Sequence, residues 1–271
     1  MTQTITQKQK EILKYLYQYR FLNRIQIQVF LNHQYHKRIN DWLKDLREKE
    51  YVNRIYSTKF GENTKPAIYS IRLEGIRFLK TQTNCPPEIL KKLYRDKDRS
   101  NSFIDQCLLV ADIVLNLKDY GVQSKGEETE LSYAAATAVD LANSANNFNF
   151  LAELNTDLLL KKETKKKTGN KTTISYFLFT IISPTLPRYS IRKRLKDFLS
   201  FYTEGEWADH EDKPFPAIMI VCPTLVTLIY AKRRTRGLLK EEDNPKDLSI
   251  QFTTVDQIKE HGVTGEIWEK A

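Results

Sequence analysis

The sequence predicts an α+β protein with two domains, a winged helix-turn-helix domain followed by an α/β sheet domain. Up to residue 50, apolar side chains recur every three to four residues, which is the period of helices. From residue 51 to residue 71 the period falls to two, which is the period of strands. Beyond residue 120, strand-like and helix-like segments alternate, as they do in a sheet covered by helices.

The first 31 residues predict two short helices, each with its own cap. Thr6 and Gln9 have the spacing of a capping box, in which each side chain bonds the backbone of the other residue. The helix that follows is expected to bury Ile12, Leu13, Leu16 and Tyr17. Asn23 is the expected cap of a second helix over residues 24–31. The inward side chains of this second helix are predicted to be Ile25, Val29 and Phe30.

Residues 33–50, HQYHKRINDWLKDLREKE, predict the recognition helix of a helix-turn-helix, with its start near residue 34. Its inner face follows the i, i+3, i+4, i+7 pattern and consists of Ile39, Trp42, Leu43 and Leu46. The outer side chains near its start can hydrogen-bond base edges or phosphates. They are Gln34, Tyr35, Lys37, Arg38, Asn40, Asp41 and Lys44. The alternative is an ordinary amphipathic helix whose charged face is only solvated.

Residues 51–71 predict a β-hairpin that forms the wing. YVNRIYST and IYSIRL alternate apolar and polar residues, and KFGENTKPA between them supplies turn-forming Gly, Asn and Pro. Lys59 and Lys65 on its arms are expected to lie over a phosphate backbone or in the minor groove. EGIRFLKTQ then predicts a closing helix. The order of elements favours DNA binding, and a protein-docking winged helix is the alternative, because the fold serves both uses.

The excess positive charge of the chain is confined to its first third. Residues 1–83 contain 16 Lys and Arg against 7 Asp and Glu, and this excess of 9 equals the net charge of all 271 residues. The remaining residues are therefore neutral as a group. A basic module joined to a neutral body indicates a polyanionic partner, and double-stranded DNA is the prediction.

The predicted domains are a winged helix over 1–83, a linker and buried connecting helix over 84–120, and an α/β domain over 121–271. GEETELSYAAATAVDLANSA is predicted to be helical. A strand near residues 157–160 and the apolar strand ISYFLFTIIS are predicted to form a hairpin. The helix SIRKRLKDFLSFY, the strand FPAIMIVCPT, the helix TLVTLIYAKRRTRGLLKEE and the strand SIQFTTVDQI complete the alternation.

Composition argues against several other classes of protein. No stretch of about 18 apolar residues predicts a transmembrane helix, and the first residues lack the apolar core of a signal peptide. Cys85, Cys107 and Cys222 are far apart, which argues against disulfides and against a CxxC zinc site. No phosphate-binding glycine loop or serine nucleophile elbow is present. We therefore expect a cytoplasmic protein with no membrane partner and no resident cofactor.

Several segments carry a resemblance to a known family through their order and spacing, although no single motif is sharp. They are ITQKQKEILKYLYQYRFLNRIQIQVFL, YSIRLEGIRFL, SFIDQCLLVADIVL, RKRLKDFLSFY with FPAIMIVCPT, and FTTVDQI with GEIWEK. In these segments the chain resembles the bacterial replication-relaxation family of plasmids and other mobile elements. The resemblance implies a winged helix followed by a restriction-endonuclease-like core of the PD-(D/E)XK type, with a role in plasmid DNA relaxation, replication or transfer.

This resemblance also implies a test of catalytic residues. A nuclease of this type needs acids on two neighbouring strands to hold Mg²⁺, which activates water. Asp157 falls at the place of the first acid, but Thr180 and Ile182 stand where the family tends to carry Glu and then Asp. The resemblance thus implies a degenerate, catalytically inactive domain in which Asp157 is a vestige, with Mg²⁺ expected only if the site is active. The acids considered as substitutes are Glu128, Glu130 and Glu153.

The combined prediction is a double-stranded DNA-binding protein of a plasmid or mobile element, acting in replication, transfer or their regulation. The predicted DNA contacts are Gln34, Tyr35, Lys37, Arg38, Asn40, Lys44, Lys59 and Lys65. The second domain is expected to be a scaffold for homodimerisation, for a replication or transfer protein, or for further backbone contacts. The alternatives are an active Mg²⁺-dependent nicking or relaxing enzyme and a winged-helix transcriptional regulator whose second domain senses a ligand.

Overall fold

The structure is a computed structural model and describes residues 4–59, 61, 63–82, 85–123, 129–166, 172–243 and 245–271. The chain divides into two compact units, Met1–Leu115 and Asn116–Ala271. The predicted domain limits of 1–83, 84–120 and 121–271 stay a prediction. Residues 60 and 62 of the predicted wing, and residues 167–171 of the predicted second hairpin turn, lie outside the described residues.

The first unit begins with three helices, α1 (Gln7–Tyr19), α2 (Arg24–Phe30) and α3 (His36–Glu48). The predicted capping box of α1 is confirmed, because the Thr6 side chain accepts from Gln9 N and Gln9 Oε1 accepts from Thr6 N. Asn23 caps α2 as predicted, and Gln26 completes a second capping box. The core beneath these helices contains Ile12, Leu13, Leu16, Ile39, Leu43 and Leu46.

Two details of these helices correct the sequence analysis. Ile25 and Val29, predicted to face inward, are each 49% exposed, and Gln26 is buried instead. The prediction is wrong because Gln26 is drawn inward by hydrogen bonds to Leu108 O and Asp112 Oδ1, and helical spacing then turns Ile25 and Val29 outward together. In addition, α3 begins at His36 rather than near residue 34, since Tyr35 is extended at the N-cap.

A small antiparallel sheet is formed by three short strands, β1 (Leu22–Asn23), β2 (Val52–Ile55) and β3 (Ile68–Ile71). They pair in the order β1-β3-β2. The predicted hairpin is present as β2 and β3, with Arg54 opposite Tyr69 and Asn53 opposite Ser70. Because side chains alternate along a strand, these two neighbouring pairs project from opposite faces of the hairpin.

The rest of the first unit is helical and consists of α4 (Leu73–Lys80), α5 (Pro87–Tyr94), a 3₁₀ turn (Asp96–Asp98) and the start of α6 (Asn101–Gln123). α4 packs against the hairpin at Gly75, where an added Cβ would clash with the carbonyl oxygen of Tyr51 and lie 2.8 Å from Ile71 Cγ2. In the 3₁₀ turn, the buried Asp96 forms an ion pair with Arg20 at the end of α1. These contacts hold the hairpin and the end of α1 against the later helices.

The second unit is built on a mixed sheet. Within the described residues its strands are β4 (Thr129–Thr137), β5 (Leu158–Lys166), β6 (Thr172–Ile181), β7 (Ala217–Cys222), β8 (Ile250–Thr254) and β9 (Glu269–Lys270). They pair in sequence order to form a six-stranded sheet. β4, β5 and β6 form an antiparallel meander, β6, β7 and β8 are parallel, and β9 returns antiparallel to β8. The predicted mixture of α and β structure is confirmed.

Helices connect these strands and cover the sheet. They are α7 (Ala138–Leu141), a 3₁₀ helix (Asn149–Leu154), α8 (Arg188–Glu204), α9 (Glu206–His210), α10 (Leu225–Glu241) and α11 (Val255–His261). The inward face predicted for α8 is buried, and it consists of Ile191, Leu195, Phe198 and Leu199. This face joins an apolar core that includes Leu178, Ile218 and Phe252 of the sheet. No helix within the described ranges is both long and apolar enough to cross a membrane.

The prediction of a helix at GEETELSYAAATAVDLANSA is wrong. Thr129–Thr137 forms β4, Ala138–Leu141 is helical, and residues 124–128 lie outside the described residues. The alanines favour a helix locally, but β4 pairs with β5 along its whole length, from Thr129 opposite Lys166 to Thr137 opposite Leu158. These backbone hydrogen bonds depend on a strand that comes later in the chain, so tertiary pairing overrides local propensity.

Candidate nucleic-acid interface

Helix α3 is fixed to the first unit by its inner face and by a polar contact with α1. Its buried residues are Ile39, Leu43 and Leu46. Gln9 Nε2 and Lys49 Nζ both donate to Asp45 Oδ2, at 2.6 Å and 2.8 Å. Burial alone would raise the pKa of Asp45, but the two hydrogen bonds and the Lys49 charge together lower it. The helix is therefore held in one orientation, with its opposite face toward solvent.

The predicted DNA contacts at and before α3 are all exposed. They are Gln34, Tyr35, Lys37, Arg38, Asn40 and Lys44. Helical spacing places Lys37, Asn40 and Lys44 on one stripe, whereas Arg38 lies to its side. Tyr35 at the N-cap is 71% exposed, and Trp42, predicted as part of the inner face, is half-buried.

The hairpin loop carries the two lysines predicted for the wing. Lys59 and Lys65 are both exposed in the segment between β2 and β3. Lys65 lines a cleft that also contains Lys44 of α3, whereas Lys59 does not line it. The structure therefore brings one of the two wing lysines together with the predicted recognition helix.

This cleft lies between the outer face of α3 and the hairpin, and we call it the basic cleft. Its volume is about 400 Å³, and the predicted residues Asn40, Lys44 and Lys65 contribute to its lining. Three arginines that the sequence analysis did not select line it as well, namely Arg24, Arg47 and Arg54. The basic cleft thus combines side chains from the start of α2, from α3 and from the hairpin.

Periodicity alone contains a signal for two of these three arginines. Arg47 follows Lys44 by three residues and Asn40 by seven, so it lies on the same helical stripe. Arg54 belongs to the alternating pattern of β2. Arg24 has no such signal, because a tertiary hydrogen bond from Arg24 N to Ala67 O, at 3.1 Å, brings it beside the hairpin.

The basic cleft is strongly cationic. Its described lining contains five cations and one acid, Asp41. Lys44 lies 4.0 Å from Glu48. Four of the five cations have no carboxylate within 4.0 Å among the described residues, namely Arg24, Arg47, Arg54 and Lys65. Like charges gathered without counter-charges repel one another, and a bound anion relieves that repulsion.

Tyr69 also lines the basic cleft, and its pKa responds to the charges of three arginines at once. Burial raises the pKa of Tyr69 above its ordinary value, while the charges of Arg54, Arg47 and Arg24 oppose that rise. Arg54 also stacks on Tyr56, with its guanidinium carbon 4.7 Å from the ring centre. The arginines from α2, α3 and β2 therefore converge in space, although they are separated by up to 30 residues in sequence.

In the second unit, Asp157 lies immediately before β5. Its backbone N–H donates to Phe179 O at 2.9 Å, and the β5–β6 ladder begins at the next residue, with Leu158 opposite Phe179. Its carboxylate Oδ2 accepts from the backbone N–H of Ile181 at 2.6 Å. The Asp157 side chain therefore bonds the backbone of the neighbouring strand.

Positions 180 and 182, at the end of β6, provide no second acid. Thr180 is 1% exposed, and its hydroxyl donates to Asn155 O at 3.3 Å and accepts from Arg194 Nη1 at 3.4 Å. Ile182 is buried in the apolar core. The described contacts of the Thr180 hydroxyl are thus a backbone carbonyl and a guanidinium group, and neither is a second carboxylate.

Among the described residues, the acids considered as substitutes do not form a group of metal ligands with Asp157. Glu130 lies on β4 opposite Lys165, seven residues before Thr137, so roughly 23 Å of extended strand separate it from that strand end. Glu153 is exposed on the 3₁₀ helix, and residue 128 lies outside the described residues. No group of three or more His, Cys, Asp and Glu that could hold a metal occurs among the described residues. Proteins usually hold Mg²⁺ through one or two carboxylates that leave room for water, whereas the Asp157 carboxylate is bonded to the backbone and Thr180 to a guanidinium group, so these residues fit the ion poorly.

Comparison with solved structures gave a similarity to the restriction endonuclease FokI bound to DNA. The two chains are 12% identical, the TM-score is 0.26, and the match covers 94% of this chain and 44% of that chain. This chain thus spans less than half the length of that structure. A TM-score this low carries no argument about fold or function. Comparison with curated proteins gave no match.

Comparison with family models gave a match to the family described as replication-relaxation. The match covers residues 13–179, which is more than half of the chain. It runs from α1 into β6 and so includes α3, the β2–β3 hairpin and Asp157. The chain therefore belongs to the replication-relaxation family.

Proposed function

We propose that this chain binds double-stranded DNA through a winged helix-turn-helix domain, with α3 as the recognition helix and the β2–β3 hairpin as the wing. The observation that carries the proposal is the convergence of five cations on the basic cleft between these two elements. Membership of a family named for replication and relaxation supports a DNA substrate. The biological setting that fits is replication, transfer or their regulation on a plasmid or mobile element in the cytoplasm.

In this proposal α3 enters the major groove, whose width of about 12 Å admits one helix with its side chains. Asn40 on the outer stripe reaches base edges, where an amide side chain pairs best with adenine. Lys37 and Arg38 in the first turn contact guanine or phosphate, and Gln34 and Tyr35 extend the contact beyond the N-terminus of the helix. Specificity then comes from few residues, while most of the affinity comes from charge.

The basic cleft receives the phosphate backbone beside that groove. Arg47 faces the cleft from α3, Arg54 from β2 and Arg24 from the start of α2. A guanidinium group can bond two phosphate oxygens at once, so three of them around one cleft fix the register of the duplex. Lys65 and Lys44 add point charges on either side, and Lys59 lies further along the wing.

We further propose that the second unit is a nuclease-like sheet domain that does not cut DNA. Thr180 and Ile182 at the end of β6, and Arg194 bonded to Thr180, support this proposal, because none of them supplies the second carboxylate that such a site needs. The domain then acts as a scaffold for a second copy of the chain, for a replication or transfer protein, or for additional backbone contacts.

The test is a titration of the full chain with a fluorescent duplex at several salt concentrations, between about 50 and 200 mM. If the five cleft cations each neutralise a phosphate, the logarithm of the affinity should fall against the logarithm of salt with a slope of about −4.5. A steep slope on duplexes of any sequence, with tighter binding to a selected sequence, supports backbone contacts plus base readout.

A slope near zero, or no binding at low salt, overturns the proposal. In that case the basic cleft belongs to a winged helix that docks an acidic protein, or to a solvated surface. A plasmid-nicking assay with Mg²⁺ tests the second part separately, since DNA binding and DNA cleavage fail independently.

A further inference from the structure

A second cavity of the first unit lies on the opposite face of the β2–β3 hairpin. We call it the rear cavity; its volume is about 380 Å³, and its lining comes from the hairpin, α4, α5 and the 3₁₀ turn. Asn53 and Ser70, which are cross-strand partners, both line it. The neighbouring pair, Arg54 and Tyr69, lines the basic cleft. One pair of strands therefore separates the two cavities.

Two polar side chains line the rear cavity and are open to a partner from outside. Ser70 is 2% exposed as a whole residue and Asn53 is half-buried, and within the described residues neither side chain makes a hydrogen bond. Neither is among the described side chains whose polar atom is fully buried without a partner, so the cavity reaches both of them. Because polar groups in a cavity bond water or a ligand, an external molecule can supply that partner.

The remaining lining gives the rear cavity a positive mouth and apolar walls. Arg72 and Lys97 are exposed at the mouth; Arg72 Nη2 lies 3.2 Å from Glu50, and Lys97 Nζ lies 5.3 Å from the centre of the Tyr94 ring. Four aliphatic side chains and Tyr94 form the walls. None of the described lining residues is acidic. Positive charge without a lining acid favours an anionic ligand.

We propose that the rear cavity binds a small molecule with an anionic head group, a phosphate monoester or a carboxylate, on an apolar body. Ser70 and Asn53 donate hydrogen bonds to the head group, while Arg72 and Lys97 supply opposite charge. The aliphatic walls and the Tyr94 ring cover the apolar body. Small-molecule pockets typically measure ~300–1000 Å³, so the rear cavity suits a compact ligand.

Ligand binding in the rear cavity has a consequence for the basic cleft. Asn53 and Arg54 are consecutive, as are Tyr69 and Ser70, so one stretch of backbone positions side chains in both cavities. A ligand that fixes Asn53 and Ser70 also restricts Arg54, and this couples the two sites. The effect on DNA affinity rests on the proposed function, whereas ligand binding itself does not.

The experiment titrates the full chain with phenyl phosphate, with benzoate and with inorganic phosphate, and follows binding by calorimetry. We expect saturable binding of phenyl phosphate or benzoate that is tighter than binding of inorganic phosphate, because the apolar body adds contact area. A preference between the two probes identifies the head group. Ser70→Ala and Lys97→Met should each weaken binding about tenfold, and Lys91→Met, on the exposed side of α5, should not.

Ser70→Ala has a second readout that does not depend on the probe. If the hydroxyl serves a ligand and not the fold, its removal should leave the Tm of the unliganded chain within about 1 °C of its original value, because no described hydrogen bond is lost. A clear fall in Tm would instead assign Ser70 a structural role in the sheet. Weaker ligand binding at an unchanged Tm is the result expected of a binding residue.

The proposal is overturned if neither phenyl phosphate nor benzoate binds saturably, or if both substitutions leave their binding unchanged. Duplex affinity with and without phenyl phosphate is measured on the same chain as a separate quantity. If the chain binds the probe at Ser70 but does not bind duplex, the ligand site is supported and the proposed DNA-binding function is overturned. If the chain binds duplex but does not bind the probe, the proposed DNA-binding function is supported and the ligand site is overturned.

Discussion

The two hairpins of this chain carry their charges in opposite ways. In β2–β3, Arg54 and Lys65 face the basic cleft with no carboxylate within 4.0 Å among the described residues. At the β5–β6 hairpin, the carboxylate of Asp157 accepts a hydrogen bond from the backbone N–H of Ile181. A charged side chain without an internal counter-charge is available to bind an external partner. A charged side chain that is bonded to the backbone has a structural role instead. The first hairpin is therefore the better candidate for function.

The comparison depends on the first hairpin being held firmly, and the largest expected effect comes from displacing it. Gly75→Ala would drive a methyl group into the carbonyl oxygen of Tyr51 and against Ile71. Since backbone atoms cannot yield as a flexible side chain would, we expect the free energy of unfolding to fall by about 3 kcal/mol. Chemical denaturation measures this change, and duplex affinity should fall with it.

The matched control is Gly237→Ala in the middle of α10, where an added Cβ meets nothing within 4 Å. Alanine has the higher helix propensity, so this change should raise the free energy of unfolding by up to about 1 kcal/mol. Equal destabilisation by both substitutions would show that the α4–hairpin contact is not the cause.

The next effect concerns the unpaired arginines themselves. Replacing Arg47 and Arg54 together by alanine should weaken duplex binding about 100-fold, because two charge-assisted contacts are lost. The salt slope should become shallower by about two units. A fluorescence titration measures both quantities. The control is Lys14→Ala, because Lys14 is exposed on α1 and does not line the basic cleft. An equal loss of duplex affinity in this variant would show that net charge, and not the position of the arginines in the cleft, determines binding.

At the second hairpin, Asp157→Ala should lower the free energy of unfolding and leave duplex affinity unchanged. The substitution removes the acceptor for Ile181 N–H, and a hydrogen bond to a charged group is worth about 2 kcal/mol. Thermal unfolding and duplex titration of the same variant separate the two quantities. The opposite result would be Mg²⁺-dependent conversion of supercoiled plasmid to open circles, abolished by Asp157→Ala, and it would make the second hairpin catalytic.

The smallest effect is a pH dependence at the anchor of α3. Despite burial, the hydrogen bonds from Lys49 and Gln9 hold the pKa of Asp45 below its ordinary value. The carboxylate therefore contributes stability above its unfolded pKa of about 3.9, and that contribution is lost as pH falls through that value and then through the lower folded pKa. The Asp45 side chain is 41% exposed, so solvent screening limits the effect to about 0.5 kcal/mol. Unfolding curves of the unaltered chain and of Asp45→Asn should converge at low pH, and parallel curves would contradict this assignment.

Much of the first unit follows from local signals in the sequence. The capping boxes at Thr6 and Asn23 were predictable because a cap involves residues only three positions apart. The alternation of apolar and polar residues in β2 and β3 is also a local pattern, and it predicted the hairpin. The outer face of α3 was predictable from helical spacing, although Arg47 on the same face was left out. Local periodicity thus located the surface without giving its full set of charges.

The errors share one physical origin, which is the influence of distant residues. Ile25 faces solvent because Gln26 is drawn inward, where its amide donates to Leu108 O at 2.9 Å and to Asp112 Oδ1 at 2.7 Å. The alanine-rich segment is a strand because it pairs with β5. Such contacts join residues far apart in sequence, and no local pattern records them.

The sequence by itself determined the caps of α1 and α2, the alternating segments of the β2–β3 hairpin, and that the positive charge gathers in the first 83 residues. Only the tertiary structure decided which charges meet. A backbone hydrogen bond to Ala67 sets Arg24 beside Arg54, and strand register turns Asp157 onto the backbone of Ile181. Periodicity and capping act over a few residues, whereas the electrostatics of a site depends on distances in space, which folding alone fixes.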